Sequence, residues 1–110
     1  MSDITQARRA LVARILEGEG KASLGQRRAA FDNAGLAEPL STLIDKVAKQ
    51  AYTVTDGDIA SVKEAGVSED EIFELAVCAA IGQATRQYDT ALAALEAATE
   101  GSGHAPGDPR

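Results

Sequence analysis

The feature that most constrains this chain is the stretch from Glu69 to Thr99, which holds no proline and a single glycine, Gly82. Its start is written into the residues before it. Ser68 and Glu71 stand three apart as a capping box, in which a hydroxyl and a carboxylate satisfy amides that a helix start leaves open, and Val67 and Ile72 flank them as a hydrophobic staple. The next proline is Pro106. An unbroken helix from Glu69 to Thr99 would be roughly 46 Å long at 1.5 Å per residue. A compact chain of this size has a radius of gyration of about 13 Å and a diameter in the mid-thirties of ångströms, roughly. One end of the helix must then overhang the rest. Ala76, Ala79, Ala80, Ile81, Ala84 and the run Ala91-Leu92-Ala93-Ala94-Leu95 put small or apolar surface on more than one side of it. Either the helix breaks at Gly82, where glycine costs about 1 kcal/mol relative to alanine, or another subunit covers it. The second outcome needs no further chain, so the expectation is a homo-oligomer formed through the helix 69–99.

The preceding residues divide into shorter helices. Ile4, Ala7, Leu11 and Ile15 recur at helical spacing from Ser2 to Glu17, with Arg8, Arg9 and Arg14 off that seam. Gly18-Glu19-Gly20 ends this segment. Ser23 and Gln26 predict a capped second helix to about Asn33, with Leu24 and Phe31 in the core and Gly35 as its left-handed cap. Pro39 suits the opening of a third helix whose apolar face is Leu40, Leu43, Ile44, Val47 and Ala51, with Asp45 and Lys49 paired on another face. Thr55 and Asp58 then cap a short fourth helix that ends at Gly66. The expected fold class is all-α, a small bundle of about five helices forming one domain over residues 1–100, with one long C-terminal helix. Residues 101–110, GSGHAPGDPR, are expected to be a disordered tail.

Composition narrows the partners. Aromatic residues are 4% of the chain and tryptophan is absent, so the core is built from Ala, Leu, Val and Ile. A net charge of -6 has the wrong sign for nucleic acid or an anionic membrane surface. The doublets Arg8-Arg9 and Arg27-Arg28 read as solvated faces. Cys78 is the only cysteine, which excludes an internal disulfide, and no run reaches the 18 or so apolar residues of a membrane span. A soluble, cytoplasmic setting is expected.

Most catalytic kits are missing. The only histidine, His104, falls in the expected tail, leaving the body without an imidazole for a triad, a metal shell or a proton relay. No phosphate-binding glycine loop occurs, and neither a metal nor a cofactor is expected. Cys78, within VCAAI, reads as a small hydrophobe. The candidates that remain are Asp58 as a carboxylate at a helix mouth, Tyr52 as a hydroxyl donor, and Arg86 or Lys49 as anchors for an anion, with Glu38 and Tyr88 beside them. Asp58 also has a purely structural role available as a first-turn acid, Tyr52 one as a core wedge, and Lys49 has a local partner in Asp45.

From Leu43 to Leu95 the chain reads LIDKVAKQAYTVTDGDIASVKEAGVSEDEIFELAVCAAIGQATRQYDTALAAL, and this resembles the carboxymuconolactone decarboxylase and alkylhydroperoxidase D-like family. The shared pattern is a helix, a short helix ending in Ala-Gly, a Ser-acid cap and a long alanine-rich helix. Redox members carry Cys-x-x-Cys followed by a histidine just ahead of the short helix. Counting back from Ala65-Gly66, those positions fall on Ala51, Val54 and Asp58. With neither thiol nor imidazole there, the family's peroxide reduction is excluded. The decarboxylase branch also relies on histidine, so Asp58 would have to serve as its base.

The leading expectation is therefore a non-redox member of this family acting as an oligomeric binding or scaffold module, open to a small anionic ligand or a protein partner. The alternatives are an acid-base enzyme of the decarboxylase type, with Asp58 as acceptor, Tyr52 as donor and Arg86 or Lys49 holding substrate, and a thiol redox protein using Cys78 alone.

Overall fold

The computed structural model describes residues 2–104. Among the described residues five α-helices follow one another: α1 (Ser2–Glu17), α2 (Leu24–Asp32), α3 (Leu40–Gln50), α4 (Asp56–Glu64) and α5 (Glu69–His104), with one 3-10 turn, Ala51–Thr53, closing α3. The all-α bundle with a long last helix is what the sequence predicts.

Two helix starts form as their residues dictate. Thr55 Oγ1 accepts the Asp58 amide at 3.1 Å while Asp58 Oδ2 accepts the Thr55 amide at 2.9 Å, a complete capping box for α4. Ser68 and Glu71 repeat it for α5 at 3.1 and 2.9 Å. Between them α4 ends on Gly66 at φ 101°, a left-handed position that glycine takes without steric cost, with Val67 N–H donating to Val62 and Gly66 N–H to Lys63. The left-handed cap of α2 is Asn33, at φ 53°, rather than Gly35. Asparagine tolerates this region because its short amide bonds locally, and here Nδ2 donates to Asp45 Oδ1 at 2.8 Å. The helix α3 begins at Leu40 with Pro39 just outside it, and Glu38 closes its start, Oε1 accepting from the Thr42 amide and hydroxyl at 3.1 and 2.6 Å.

The core lies where α2 and α3 cross α5, around Phe31, Leu43, Ile44, Leu75, Cys78 and Ala79, with Val62 of α4 and Leu16 of α1 at its edges. Four expected apolar positions of α1 and α2 lie elsewhere. Leu24, at the first position of α2, points outward and is 58% exposed, whereas Phe31 is buried as expected. On α1 the inward face is Arg8, Val12, Ile15 and Leu16; of the expected seam Ile15 packs against the core, whereas Ile4, Ala7 and Leu11 stay exposed. On this face the Arg8 guanidinium lies 5.0 Å over the Tyr88 ring and reaches Asp89 at 3.3 Å.

Gly82 does not break α5. A methyl group there would sit 2.0 Å from the carbonyl oxygen of Phe31, so the glycine is where α2 and α5 touch backbone to backbone. The helix continues to His104, four residues into the segment expected to be disordered; residues 105–110 lie outside the described residues. The molecule measures 61 × 28 × 21 Å with a radius of gyration of 18.0 Å, well above the roughly 13 Å of a compact chain this size. From Ala93 to Thr99 every residue is exposed. The overhang is real.

Candidate functional site

The corner from Ala51 to Asp58 forms because the tight turn of Ala51–Thr53 is locked by Thr53 Oγ1 donating to Gln50 O at 2.7 Å, after which Thr55 caps the next helix. Asp58 faces back toward α3. Its Oδ2 accepts from Lys46 Nζ at 2.8 Å as well as from the Thr55 amide. The hydrogen bond from Lys46, then that from the Thr55 backbone, holds its carboxyl below the ordinary carboxylate range. A carboxylate so paired is a poorer proton acceptor than a free one. The Tyr52 side chain is 86% exposed and far from serving as a core wedge. Lys49 pairs with Asp45 at 3.2 Å, and Asp45, held down chiefly by Asn33 and then by Lys49, joins α3 to the end of α2.

Arg86 is committed elsewhere. Nη1 donates to the Phe31 carbonyl at 2.5 Å and Nη2 to Gln83 Oε1 at 3.1 Å. It lines a shallow groove along α5 with Gln83, Gln87 and Thr90, and none of Asp58, Tyr52 or Lys49 shares that groove. Asp58, Tyr52, Lys49 and Arg86 thus do not converge on one cleft: Asp58 and Lys49 take local partners, Arg86 caps α2, and Tyr52 faces solvent.

Sequence reasoning missed a second constellation, at the α1–α2 loop. Arg27, read as solvated, is buried and donates from Nε to Ala22 O at 3.0 Å and from Nη1 to Gly18 O. Opposite it, the Glu74 carboxylate of α5 accepts the Lys21 amide at 2.8 Å and the Ala22 amide at 2.7 Å, and these backbone bonds, that of Ala22 first, hold its carboxyl low. One cation takes the loop's carbonyls and one anion takes its amides. Nothing in the doublet Arg27-Arg28 signals which member turns inward; Arg28 is exposed and pairs with Asp32 at 3.4 Å. Beneath this clasp Cys78 is buried, its thiol donating weakly to Ile15 O at 3.8 Å, and burial pushes its pKa up. A thiol held protonated and out of solvent is a poor nucleophile.

A groove of about 300 Å³ runs between α1 and α5, lined by Ile4, Arg8, Leu11, Ile81, Ala84 and Tyr88 among others. Its walls are mostly apolar, no Asp, Glu, Lys or Cys side chain lines it, and of the candidate residues only Tyr88 reaches it. Among the described residues no group of three or more His, Cys, Asp and Glu side chains is arranged to hold a metal, and no helix is long and apolar enough to cross a membrane. No family model, curated protein or solved structure matches this chain.

Proposed function

We propose that this protein is an oligomeric binding or scaffold module, a non-redox relative of the alkylhydroperoxidase D-like and carboxymuconolactone decarboxylase proteins whose assembly is built through α5. The observation that carries this reading is the bare end of α5. Leu95 is 63% exposed on a helix that leaves the bundle, and Ala91, Ala94 and Ala98 are exposed beside it. A helix surrounded by water over that length gains little from packing, and helix stability in proteins comes mostly from a buried apolar face. A second subunit supplies that face.

The polar residues offer less. Asp58, Lys49 and Arg86 each spend their hydrogen bonds on caps, an adjoining helix or a neighbouring carbonyl, and a catalytic set needs groups aimed at one cavity. The buried Cys78 lacks the exposure that thiol exchange requires. Sedimentation equilibrium of the full chain over the micromolar range tests the reading. The expected mass is a multiple of 11.4 kDa. A mass of 11.4 kDa at every concentration overturns it.

A further inference from the structure

The face of α5 that borders α1 carries Ile81, Ala84, Thr85 and Tyr88 at helical spacing, and the same face continues past the end of α1 as Leu92, Leu95 and Thr99. Within one copy α1 covers only part of the first half. Ile4 and Leu11 on the far wall remain 59% and 46% exposed, leaving the groove open along its length. We propose, resting on the oligomeric reading above, that the occupant of this groove is the α5 overhang of a second copy, laid antiparallel so that Leu92 and Leu95 fill it.

Length and symmetry agree. The groove from Ile81 to Tyr88 and the stripe from Leu92 to Thr99 each span seven residue steps, about 10.5 Å of helix. An antiparallel pairing about a two-fold axis between Tyr88 and Leu92 sets Leu92 against the partner's Tyr88, Leu95 against the partner's Thr85 and Thr99 against the partner's Ile81. The axis then repeats each contact in reverse, so both overhangs and both grooves are used. Two α1 and two α5 helices form a four-helix bundle at the centre of the dimer, with Ile4 and Leu11 inside it.

Charge selects the same direction. From Gln87 to Thr99 α5 carries Asp89 and Glu96 with no lysine or arginine, whereas α1 carries Arg8, Arg9 and Arg14 against Asp3 and Glu17. The antiparallel arrangement lays the acidic end of one α5 along the basic helix of the other, with Glu96 level with the partner's Arg8. A parallel pairing would bring two acidic ends together.

The test uses two variants at exposed positions, Ala84→Arg in the groove and Leu95→Glu on the overhang, with circular dichroism to check that each keeps its helix content. Leu95→Glu alone would set a carboxylate against the apolar seam, and Ala84→Arg alone would fill the groove with a side chain that the partner's Leu95 cannot pair, so each should weaken dimerisation at least about tenfold. Mixed in equal amounts, they should form a heterodimer, because one seam is then native and the other joins the introduced guanidinium to the introduced carboxylate. Sedimentation of the mixture reads this directly. Two variants that both dimerise like the wild type, or two monomers that do not recombine, overturn the proposed seat while a dimeric wild type leaves the oligomeric reading standing. A monomeric wild type overturns both.

Discussion

Arg86 Nη1 donates to the carbonyl oxygen of Phe31 at 2.5 Å, and that same oxygen lies 2.0 Å from where a side-chain carbon on Gly82 would be. One turn of α5 thus meets the end of α2 twice, once by absence of a side chain and once by a cation. The last carbonyls of a helix lack partners within it, and its C-terminus carries partial negative charge. Arg86 answers both needs, and the glycine sets how closely the helices approach.

Replacing Gly82 with alanine should therefore destabilise the fold even though alanine favours helix by about 1 kcal/mol. The added methyl meets backbone rather than a movable side-chain tip. Overpacking of this kind costs about 1–3 kcal/mol, and the rigidity of the contact places it at the upper end. A thermal midpoint lowered by roughly 5–15 °C is expected for Gly82→Ala, since about 1 kcal/mol shifts a domain of this size by 4–8 °C. An unchanged or raised midpoint would refute the close-approach role.

Arg86→Met keeps much of the stem and removes the donor. A hydrogen bond from a charged group contributes about 1.5–3 kcal/mol, and partial exposure here argues for the lower part of that range. Urea unfolding should show a loss of about 1.5–2 kcal/mol with an unchanged slope. A variant as stable as the wild type would contradict the role of Arg86 as the cap of α2.

Glu74 sets an acid limit on the α1–α2 loop. Its carboxyl is held below the ordinary value of 4.5 by the Ala22 and Lys21 amides, so the folded state favours the ionised form. For a depressed carboxylate the stabilisation is present above the unfolded pKa and is lost as pH falls through the folded one. The wild type should lose stability on acidification below about pH 4.5 more steeply than Glu74→Gln does. Asp45, Asp58 and Glu69, which are also held low, remain in both proteins and cancel from the difference. Parallel curves would contradict the clasp.

Cys78 should react with a thiol reagent no faster than the protein opens. It is buried under the Arg27 and Glu74 clasp and its pKa is raised by burial. Stopped-flow labelling is expected to track the opening rate at every urea concentration. Rapid labelling of the native protein would restore the thiol as a functional group.

Much of this fold can be read locally, because the devices that start and stop its helices are short. Thr55 with Asp58 and Ser68 with Glu71 cap through side chains three residues away, and Gly66 ends α4 by itself. What escapes a linear reading are side chains whose partners are distant. Arg27 turns inward to the Gly18 and Ala22 carbonyls of the loop, and Glu74 meets the amides of Ala22 and Lys21, 52 and 53 positions back. Arg8, off the apolar seam in the sequence, turns inward and stacks on Tyr88, a pairing that no hydrophobic periodicity records. At the corner, the cap on Asp58 is legible from Thr55, whereas the Lys46 bond that completes its environment depends on how α3 and α4 are set against each other.

Hydrogen exchange along α5 measures the central claim most directly. The amides of residues 93–99 belong to a helical segment that one copy leaves wholly exposed. If a second copy covers it, those amides exchange slowly at micromolar concentration and faster on dilution, while the segment around Leu75 and Ala79 does not change. Fast exchange of residues 93–99 at every concentration would mean that the end of α5 is bare in solution, contrary to an assembly built through it.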